Sequence, residues 1–496
     1  MTNGALRPRL NLLTLLALLT TIACGGAPAD TPPATLPAGS LIADWPAAAR
    51  PAPGRPTGLP AGFSDGLVVG ELDQPTALRF LPSGDLVVAE QRGVVTRFGG
   101  TDFAGSNVLI DVRTAVFNWN QFGLLGLGID PEFGDEPYIY LAFTLDAGPA
   151  GAPPVHGVPG ADSDDCPGGR LKCVSSGRLS RFRMEQDAAA AEEVLLEDWC
   201  FIQNHTVGTI AFAPDGALLL GSGDGADGRD VDFGQSSTPP NACDDPPVTR
   251  GVAPEPRTSE GGSLRSQDLA TRSDPLTLDG TLLRLDRATG DGLGDNPLGD
   301  DEEANARRVI ATGLRNPFRF TIRPGTSEIW IADVGWTGFE EINRIEDPLA
   351  GPPRNLGWPC YEGPRRQPDF DHLENGLCEA LYESEPEELL FPYVSFGRPP
   401  AAEGSCESGG AATSALAFYD GTVFPDQYAD ALFFGDSARR CIWVMPIGAD
   451  GLPDPDGVAE FLVGAGPVDL QVGPDGALYY ADNAAGEIRR ITFSGQ

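Results

Sequence analysis

Residues 311–363 read ATGLRNPFRFTIRPGTSEIWIADVGWTGFEEINRIEDPLAGPPRNLGWPCYEG, and this stretch indicates the fold. Apolar residues alternate from Phe318 to Ile322 and again from Glu328 to Ala332, and Gly and Pro residues close each run. A period of two is typical of β-strands, and turn formers between two such runs predict a β-hairpin. The stretch therefore predicts two paired strands, followed by a tight corner at Asp333-Val334-Gly335.

The same pattern of run, Pro-x-Gly-like turn and second run recurs along the chain. It is found at 76–89, 126–142, 208–221, 318–332, 468–481 and, in looser form, 414–434. A repeat that cannot bury its hydrophobic face alone packs against its neighbours, and closing the ring removes exposed strand edges. Six copies predict an all-β, six-bladed β-propeller, because a β-sandwich explains two or three hairpins but not six.

Long insertions separate the repeats, chiefly at 145–175, 230–275 and 360–410. Apart from Cys24, the chain has eight cysteines: Cys166, Cys173, Cys200, Cys243, Cys360, Cys378, Cys406 and Cys441. An even number in an exported protein predicts four disulfides, which would hold the insertions on one face of the ring. Cys166–Cys173 and Cys360–Cys378 are the expected local pairs, and the pairing of the other four cysteines stays open.

The N-terminus has the pattern of a processing signal. Two arginines precede a largely apolar run at 10–22, and Thr21-Ile22-Ala23-Cys24 resembles a lipobox with an imperfect first position. We expect a lipoprotein signal peptide at 1–23, a lipidated Cys24, a Pro/Ala-rich tether at 24–60 and the propeller at 61–496. The expected location is the cell envelope, at the outer membrane or cell surface. The alternative is an ordinary secretory signal beside an unmodified cysteine.

The formal net charge is −37, from 34 basic and 71 acidic residues. This charge argues against nucleic acid and anionic membrane surfaces as partners, because phosphate contacts require clustered Lys and Arg. The acidic excess is spread over many loops, which is typical of a solubility effect.

Only three histidines occur in the chain: His156, His205 and His372. His205 directly precedes the third repeat, where an inner strand begins near the mouth of the ring. Histidine is the side chain best suited to accept a proton near neutral pH, so His205 is a candidate general base. The structural alternative is that a lone histidine only packs, which is our interpretation of the other two.

Residues 221–232 read GSGDGADGRDVD and contain a formal GxGxxG. No helical pattern follows, and the aspartates would repel a pyrophosphate, so a dinucleotide site is excluded. An alternative is a calcium loop formed by Asp224, Asp227, Asp230 and Asp232. No Ser-His-Asp order or GxSxG nucleophile-elbow pattern stands out, so hydrolase chemistry lacks an obvious nucleophile.

Several motifs between 70 and 495 resemble the glucose/sorbosone dehydrogenase family, soluble sugar dehydrogenases that use pyrroloquinoline quinone (PQQ). These motifs are QFGLLG at 121–126, Asn204-His205 with FAPDG at 212–216, LRNP at 314–317, EIN at 341–343 and GWP at 357–359. The resemblance implies oxidation of aldoses to lactones, a small-molecule sugar substrate and an external electron acceptor. It also implies that the cofactor carries the hydride chemistry while the protein orients the reactants.

The resemblance assigns roles to single residues. His205 would take the sugar hydroxyl proton, with Arg315 beside it as the second candidate catalytic residue. Contacts to the cofactor or substrate would come from Gln121, Asn204, Asn316 and Arg439, of which Arg439 stands where the family often has lysine.

The resemblance also implies a calcium ion that polarises the quinone. Backbone carbonyls of Gly335 and Trp336 would supply part of its ligand shell.

Two positions depart from the family pattern. Gly466 and Val468 stand where an arginine pair would grip the PQQ carboxylates, and each lost contact costs about 1.5–3 kcal/mol. Arg440 or Arg365 are candidates to compensate. The alternative function is a non-catalytic cell-surface binding propeller that has lost the cofactor, since the fold alone does not decide activity. A propeller lactonase would need a central metal held by acidic side chains.

Overall fold

The computed structural model describes residues 56–100, 102–158, 164, 166, 173–186, 188–202, 204–236, 240–246, 260–272, 275–384, 388–398, 406 and 410–495. The predicted signal peptide, Cys24 and most of the predicted tether lie outside these residues. The described strands form a six-bladed β-propeller, which confirms the predicted fold class.

Each blade is an antiparallel sheet whose first strand lies nearest the axis, where it contacts the first strands of neighbouring blades. Strand β1 (Phe63–Val69) precedes the first blade, which contains β2 (Pro75–Phe80), β3 (Leu86–Glu90), β4 (Val94–Gly99) and β5 (Gly105–Asp111). The second blade contains β6 (Leu124–Ile129), β7 (Tyr138–Leu145), β8 (Ser175–Glu185) and β9 (Ala188–Phe201). The third contains β10 (Val207–Phe212), β11 (Leu218–Ser222), β12 (Thr281–Leu285) and β13 (Val309–Thr312).

The remaining blades follow the same plan. The fourth contains β14 (Arg319–Ile322), β15 (Ile329–Asp333), β16 (Phe339–Ile345) and β20 (Val394–Gly397). The fifth contains β21 (Thr413–Phe418), β22 (Leu432–Asp436), β23 (Cys441–Met445) and β24 (Ala459–Val463). The sixth contains β25 (Pro467–Val472), β26 (Leu478–Asp482), β27 (Glu487–Phe493) and β1.

The insertion between β16 and β20 carries short elements of its own. Strand β17 (Arg354–Asn355) pairs in parallel with β13, and β18 (Tyr361–Glu362) pairs with β19 (Arg365–Arg366). The helices of the described residues are α1 (Ala304–Arg308), α2 (Pro368–Asp371) and α3 (Gly376–Ser384), with 3-10 turns at Gly262–Ala270, Asp426–Tyr428 and Pro455–Gly457. No helix among the described residues is long and apolar enough to cross a membrane.

The ring is closed by strands from the two ends of the described chain. Strand β1 pairs antiparallel with β27, from Phe63 opposite Phe493 to Val69 opposite Ile488. The first described strand therefore becomes the outermost strand of the last blade and covers the edge of β27. Thr57, before β1, exchanges two backbone hydrogen bonds of 2.7 and 2.8 Å with Val463 of the fifth blade.

Hydrophobic packing joins adjacent blades. Strand β7 is buried along its whole length, as expected for a middle strand covered on both faces by neighbouring blades. Its Ile139 and Leu141 pack with Ala77 and Val87 of the first blade, whereas Tyr140 packs with Ile210 of the third. Each fully buried side chain of this size contributes about 1.5–3 kcal/mol.

An ion-pair cluster links the inner strands near the axis. Asp469 on β25 accepts hydrogen bonds from Arg79 at 2.7 Å and from the Leu78 backbone at 2.9 Å, both on β2. Arg319 on β14 lies 3.8 Å from the same carboxylate and donates to the Thr76 carbonyl. One buried carboxylate therefore connects the first, fourth and sixth blades.

Four disulfides are present, as predicted. The two local pairs are confirmed, and the open pairing resolves as Cys200–Cys243 and Cys406–Cys441. We call the upper face the side of the ring where the loops after β3, β11, β15 and β22 meet the segments before β6, β10, β14 and β25. His205, Arg315, Gly335 and Arg439 all lie in these loops.

Candidate active site on the upper face

His205 is held rigidly by its backbone. It lies between β9 and β10 with φ 55°, in the left-handed region that few non-glycine residues adopt. A Cβ atom on Gly223 would come within 2.2 Å of the His205 carbonyl oxygen, so only glycine allows this close approach. The imidazole is consequently fixed at the start of an inner strand, and the residue is 5% exposed.

The imidazole forms one end of a hydrogen-bonded chain. His205 Nδ1 lies 2.7 Å from Asp224 Oδ1, and Asp224 Oδ2 accepts a hydrogen bond of 2.8 Å from Trp358 Nε1. Gln267 donates to the backbone carbonyl of Trp358 at 2.7 Å and so holds the main chain that carries the indole. Because a carboxylate can only accept, Nδ1 carries the proton and Nε2 keeps its lone pair.

The electrostatics keep His205 neutral. Burial and the positive charge of Arg315 lower the pKa of His205 below its ordinary value, although Asp224 acts in the opposite direction. Burial acts to raise the pKa of Asp224, but the interactions with His205 and Arg315 outweigh it, and the pKa of Asp224 is lowered. At neutral pH the pair is therefore a neutral imidazole beside an ionised carboxylate, with Nε2 able to accept a proton.

Arg315 bridges the third and fourth blades. Its backbone N–H donates to Asp333 at 3.0 Å, and its Nη1 donates to the carbonyl of Gly335 at 2.7 Å. Its guanidinium carbon lies 5.4 Å from the centroid of the Trp358 ring, within cation–π range. The base and the cation therefore share Trp358 as a common support.

Three predicted site residues converge beside Gly228. A Cβ atom there would lie 3.0 Å from Asn204 Nδ2, 3.6 Å from His205 Nε2 and 3.7 Å from Arg315 Nη2. The free nitrogen of the base, an amide and a guanidinium thus surround a space about the size of one methyl group.

The Gly335 corner is held by a single carboxylate oxygen. Glu362 Oε1 accepts four backbone hydrogen bonds, from residues 336, 337, 338 and 339 at 2.6, 2.9, 3.0 and 3.3 Å. A Cβ atom on Gly335 would collide with the Phe339 carbonyl oxygen, so the corner requires glycine. These contacts fix the direction of the Gly335 carbonyl.

A second guanidinium reaches that carbonyl. Arg398, which follows β20, donates through Nη1 to the Gly335 oxygen and lies 2.8 Å from Glu340 Oε1. Its Nη2 donates to the Ala411 carbonyl at 2.8 Å. The Gly335 oxygen, with two lone pairs, therefore already accepts from both Arg398 and Arg315.

This arrangement does not fit calcium at the predicted position. Calcium binds six to eight oxygen atoms, and a carbonyl that accepts from two guanidiniums offers it neither a free lone pair nor a favourable potential. Across the described ranges, no three His, Cys, Asp or Glu side chains are grouped as a metal site requires. Trp336, the second predicted ligand residue, packs its ring against Trp358 and Phe370.

The four aspartates of 221–232 do not converge either. Asp224 is engaged by His205 and Trp358, whereas Asp232 accepts backbone hydrogen bonds from Asp227 and Gly234 at 2.9 Å. Asp230 is exposed. The calcium-loop alternative is therefore not supported by the geometry.

A buried pair of acids lies behind the corner. Burial raises the pKa of Asp333 to about 7, and burial together with the charge of Asp333 raises the pKa of Glu341 to about 8. Their oxygens accept from nearby N–H groups, including Gly363 to Glu341 at 2.5 Å. At neutral pH the pair retains a proton.

The other predicted contacts lie nearby on the upper face. Gln121 is exposed in the loop before β6, and the backbone of Asn316 donates to Asp333 at 2.6 Å. Arg439 is half-buried and donates to the Gly397 carbonyl at 3.0 Å. In the part of the chain that the structure describes, no hydrogen bond joins Gln121 or Arg439 to His205.

One of the two proposed substitutes for the missing arginine pair is well placed. A Cβ atom on Gly466 would lie 3.6 Å from Arg440 Nη1, so this guanidinium occupies the space beside the glycine. Val468 is a core residue. Arg365, the other candidate, is exposed and stacks over Phe339 at 5.1 Å.

A sequence profile described as Glucose / Sorbosone dehydrogenase matches residues 72–239 and 261–374, more than half of the chain. The chain belongs to the glucose/sorbosone dehydrogenase family. The aldose sugar dehydrogenase YliI of Escherichia coli (strain K12) is 25% identical over 436 residues, covering 87% of this chain and 94% of the relative. Membership of this family supports an oxidoreductase function of the sugar dehydrogenase type for the chain.

Solved structures of the glucose/sorbosone dehydrogenase type share the fold. The PQQ-bound aldose sugar dehydrogenase of Streptomyces coelicolor has a TM-score of 0.56 at 17% identity, covering 88% of this chain and all of that one. The soluble aldose sugar dehydrogenase of E. coli in its apo-form has a TM-score of 0.56 at 18% identity, covering 87% of this chain and all of that one.

Sequence reasoning missed Glu362 and Arg398 and gave Asp224 another role. A signal for Asp224 existed, because it follows β11 of the blade that begins beside His205, where the second strand returns to the upper face. Glu362 and Arg398 lie in an insertion without periodicity, and no sequence signal places them at the corner.

Proposed function

We propose that the protein is an exported PQQ-dependent dehydrogenase that oxidises aldoses to lactones and passes the electrons to an external acceptor. The observation that carries this proposal is the Trp358-Asp224-His205 chain, which presents a neutral Nε2 beside the Arg315 guanidinium. A neutral base next to a fixed cation is the arrangement that removal of a hydroxyl proton requires.

In this proposal His205 Nε2 accepts the proton of the sugar hydroxyl, and Asp224 stabilises the imidazolium that results. PQQ, when bound, supplies the acceptor for the hydride. Arg315 and Arg398 would hold anionic oxygens of the cofactor, and Asn204 would donate its amide. The chemistry of this donor set fits an anionic quinone, since guanidiniums bind such oxygens with strong, charge-assisted hydrogen bonds.

Arg440 supports retention of a cofactor carrying carboxylates. Its guanidinium lies beside Gly466, which stands where the family pattern has an arginine, and it donates to the Gly464 carbonyl. One of the two missing positive charges is thereby supplied from the loop after β22. This favours the dehydrogenase over the binding propeller without cofactor.

Export and lipid attachment at Cys24 complete the proposal. The lipobox-like sequence and four disulfides support them, because disulfides persist in oxidising compartments. Mass spectrometry of the mature N-terminus tests this part. A diacylglyceryl-modified Cys24 is expected, and an unmodified Cys24 or a retained signal peptide contradicts the proposal.

The test of activity uses the full chain, expressed with export and reconstituted with PQQ. Aldose-dependent reduction of an artificial dye is expected, and His205→Ala should abolish it. Gly228→Ala should lower kcat/KM at least ten-fold, because the added methyl fills the space 3.6 Å from Nε2. Gly134→Ala is the matched control, since its Cβ atom meets no other atom within 4 Å.

Two outcomes would contradict the proposal. Absence of PQQ binding at micromolar concentration would favour the binding propeller. Dye reduction that persists in His205→Ala would remove His205 as the base.

A further inference from the structure

The Arg398 side chain starts at the outer edge of the fourth blade and places its guanidinium at the Gly335 corner. It follows β20, the outer strand of the fourth blade, and its side chain is only 14% exposed. Three oxygens hold the guanidinium: the Gly335 carbonyl, Glu340 Oε1 at 2.8 Å and the Ala411 carbonyl at 2.8 Å. With three partners on two nitrogens, the group has one defined position.

Glu340 is itself fixed and buried. It is 1% exposed, and its second oxygen accepts from the Thr413 backbone at 2.8 Å. Without Arg398, this carboxylate and the Gly335 carbonyl would be two neighbouring hard oxygen donors. Such oxygens are the donors that calcium prefers.

We infer that Arg398 is the resident cation of the Gly335 corner, taking the place of a calcium ion and excluding calcium from it. The guanidinium donates to the carbonyl, forms an ion pair with the Glu340 carboxylate and provides one positive charge for anionic oxygens of a ligand. Arg315, on the same carbonyl at 2.7 Å, provides a second charge. The inference concerns the corner itself and does not rest on sugar oxidation.

The test is calcium binding by the full chain after treatment with a chelator, measured by equilibrium dialysis without PQQ or sugar. Arg398→Ser should bind calcium at least ten-fold more tightly than the unchanged chain, because it frees a carbonyl lone pair and uncovers the charge of Glu340. Calcium should also raise the Tm of this variant but not that of the unchanged chain.

Arg323→Ser is the matched control. Arg323 lies in the same blade, donates to the Gly451 carbonyl and lies 3.7 Å from Glu328, so it makes the same two kinds of contact away from the corner. Its replacement should leave calcium binding unchanged. If Arg398→Ser does not fold, Arg398→Gln also removes the charge while keeping an N–H donor, and the same gain is expected.

Equal calcium binding by the unchanged chain and the folded Arg398 variant, including no binding by either, overturns the inference. Tighter binding by the unchanged chain overturns it as well. The calcium-binding measurement contains neither cofactor nor substrate, so its result can be interpreted even if the proposed dehydrogenase activity fails.

Discussion

Glu362 should be a positioning residue whose replacement loosens the Gly335 corner. Its Oε1 atom accepts hydrogen bonds from the four backbone N–H groups of residues 336–339. Hydrogen bonds to a charged group contribute about 1.5–3 kcal/mol each, against about 0.5–1.5 kcal/mol for neutral ones. Glu362→Gln keeps an acceptor but loses the charge.

The two shortest bonds, at 2.6 and 2.9 Å, should dominate the loss. Replacing the charged acceptor with a neutral one should weaken each of these two bonds by about 1–1.5 kcal/mol, so Glu362→Gln should lower the free energy of unfolding by about 2–3 kcal/mol. Glu362→Leu leaves the four N–H groups without an acceptor, at about 1–3 kcal/mol each, so it should cost more than the amide variant.

Urea unfolding measures the global effect as a lower midpoint at constant slope. Hydrogen–deuterium exchange measures the local effect, and the amides of 336–339 should exchange roughly 30-fold faster in Glu362→Gln, equivalent to about 2 kcal/mol. Glu302→Gln, at an exposed glutamate, should change stability by less than about 0.5 kcal/mol. Exchange at 336–339 that matches the unchanged chain would refute the assigned role.

Three further results are expected. Burial raises the pKa of Asp333 to about 7 and that of Glu341 to about 8, so near neutral pH the folded chain holds protons that the unfolded chain has lost. The Tm should therefore fall as the pH rises from 5 to 8, and it should fall less steeply in Glu341→Gln. A Tm that rises over this range contradicts the assignment. NMR titration of the histidines should place the pKa of His205 below its ordinary value. This pKa should be lower still in Asp224→Asn and higher when an anion is bound. A higher pKa of His205 in Asp224→Asn would contradict the assigned interaction between His205 and Asp224. Asp469→Ala should cost about 3–5 kcal/mol in urea unfolding, because it leaves buried arginine at the axis without its carboxylate; an unchanged midpoint would remove that ion pair as a link between blades.

The fold was predictable because each blade repeats one local pattern. The run at 468–481, for example, covers all but the first residue of β25 and the last residue of β26, with the turn between them. The short elements β17, β18 and β19 were not predictable, because they lie in an insertion without alternation. Short sequence separations of 7 and 18 residues made two disulfides predictable, whereas Cys200–Cys243 spans 43 residues and depends on the path of the chain through the third blade.

The site was predictable where function is encoded at strand ends of the repeat. His205, Arg315 and Gly335 all stand directly beside inner or second strands, so the propeller geometry brings them to one face. Trp358 and Arg398 reach the same point through side chains from the insertion after β16. Their contacts with Asp224 and Gly335 join residues 134 and 63 positions apart, for which no local pattern exists.

The two cations of the site act on the base and on a bound anion at the same time. Burial, then the charge of Arg315 and to a smaller extent that of Arg398, lower the pKa of His205 and favour an unprotonated Nε2 before a ligand arrives. An anion placed against these guanidiniums offsets their potential, so the proton affinity of Nε2 rises when the anion binds. By linkage, protonation of His205 must strengthen anion binding by the same free energy. In the proposed reaction, a base that is weak in the empty site and stronger in the filled one would take a proton only when the acceptor of the hydride is in place.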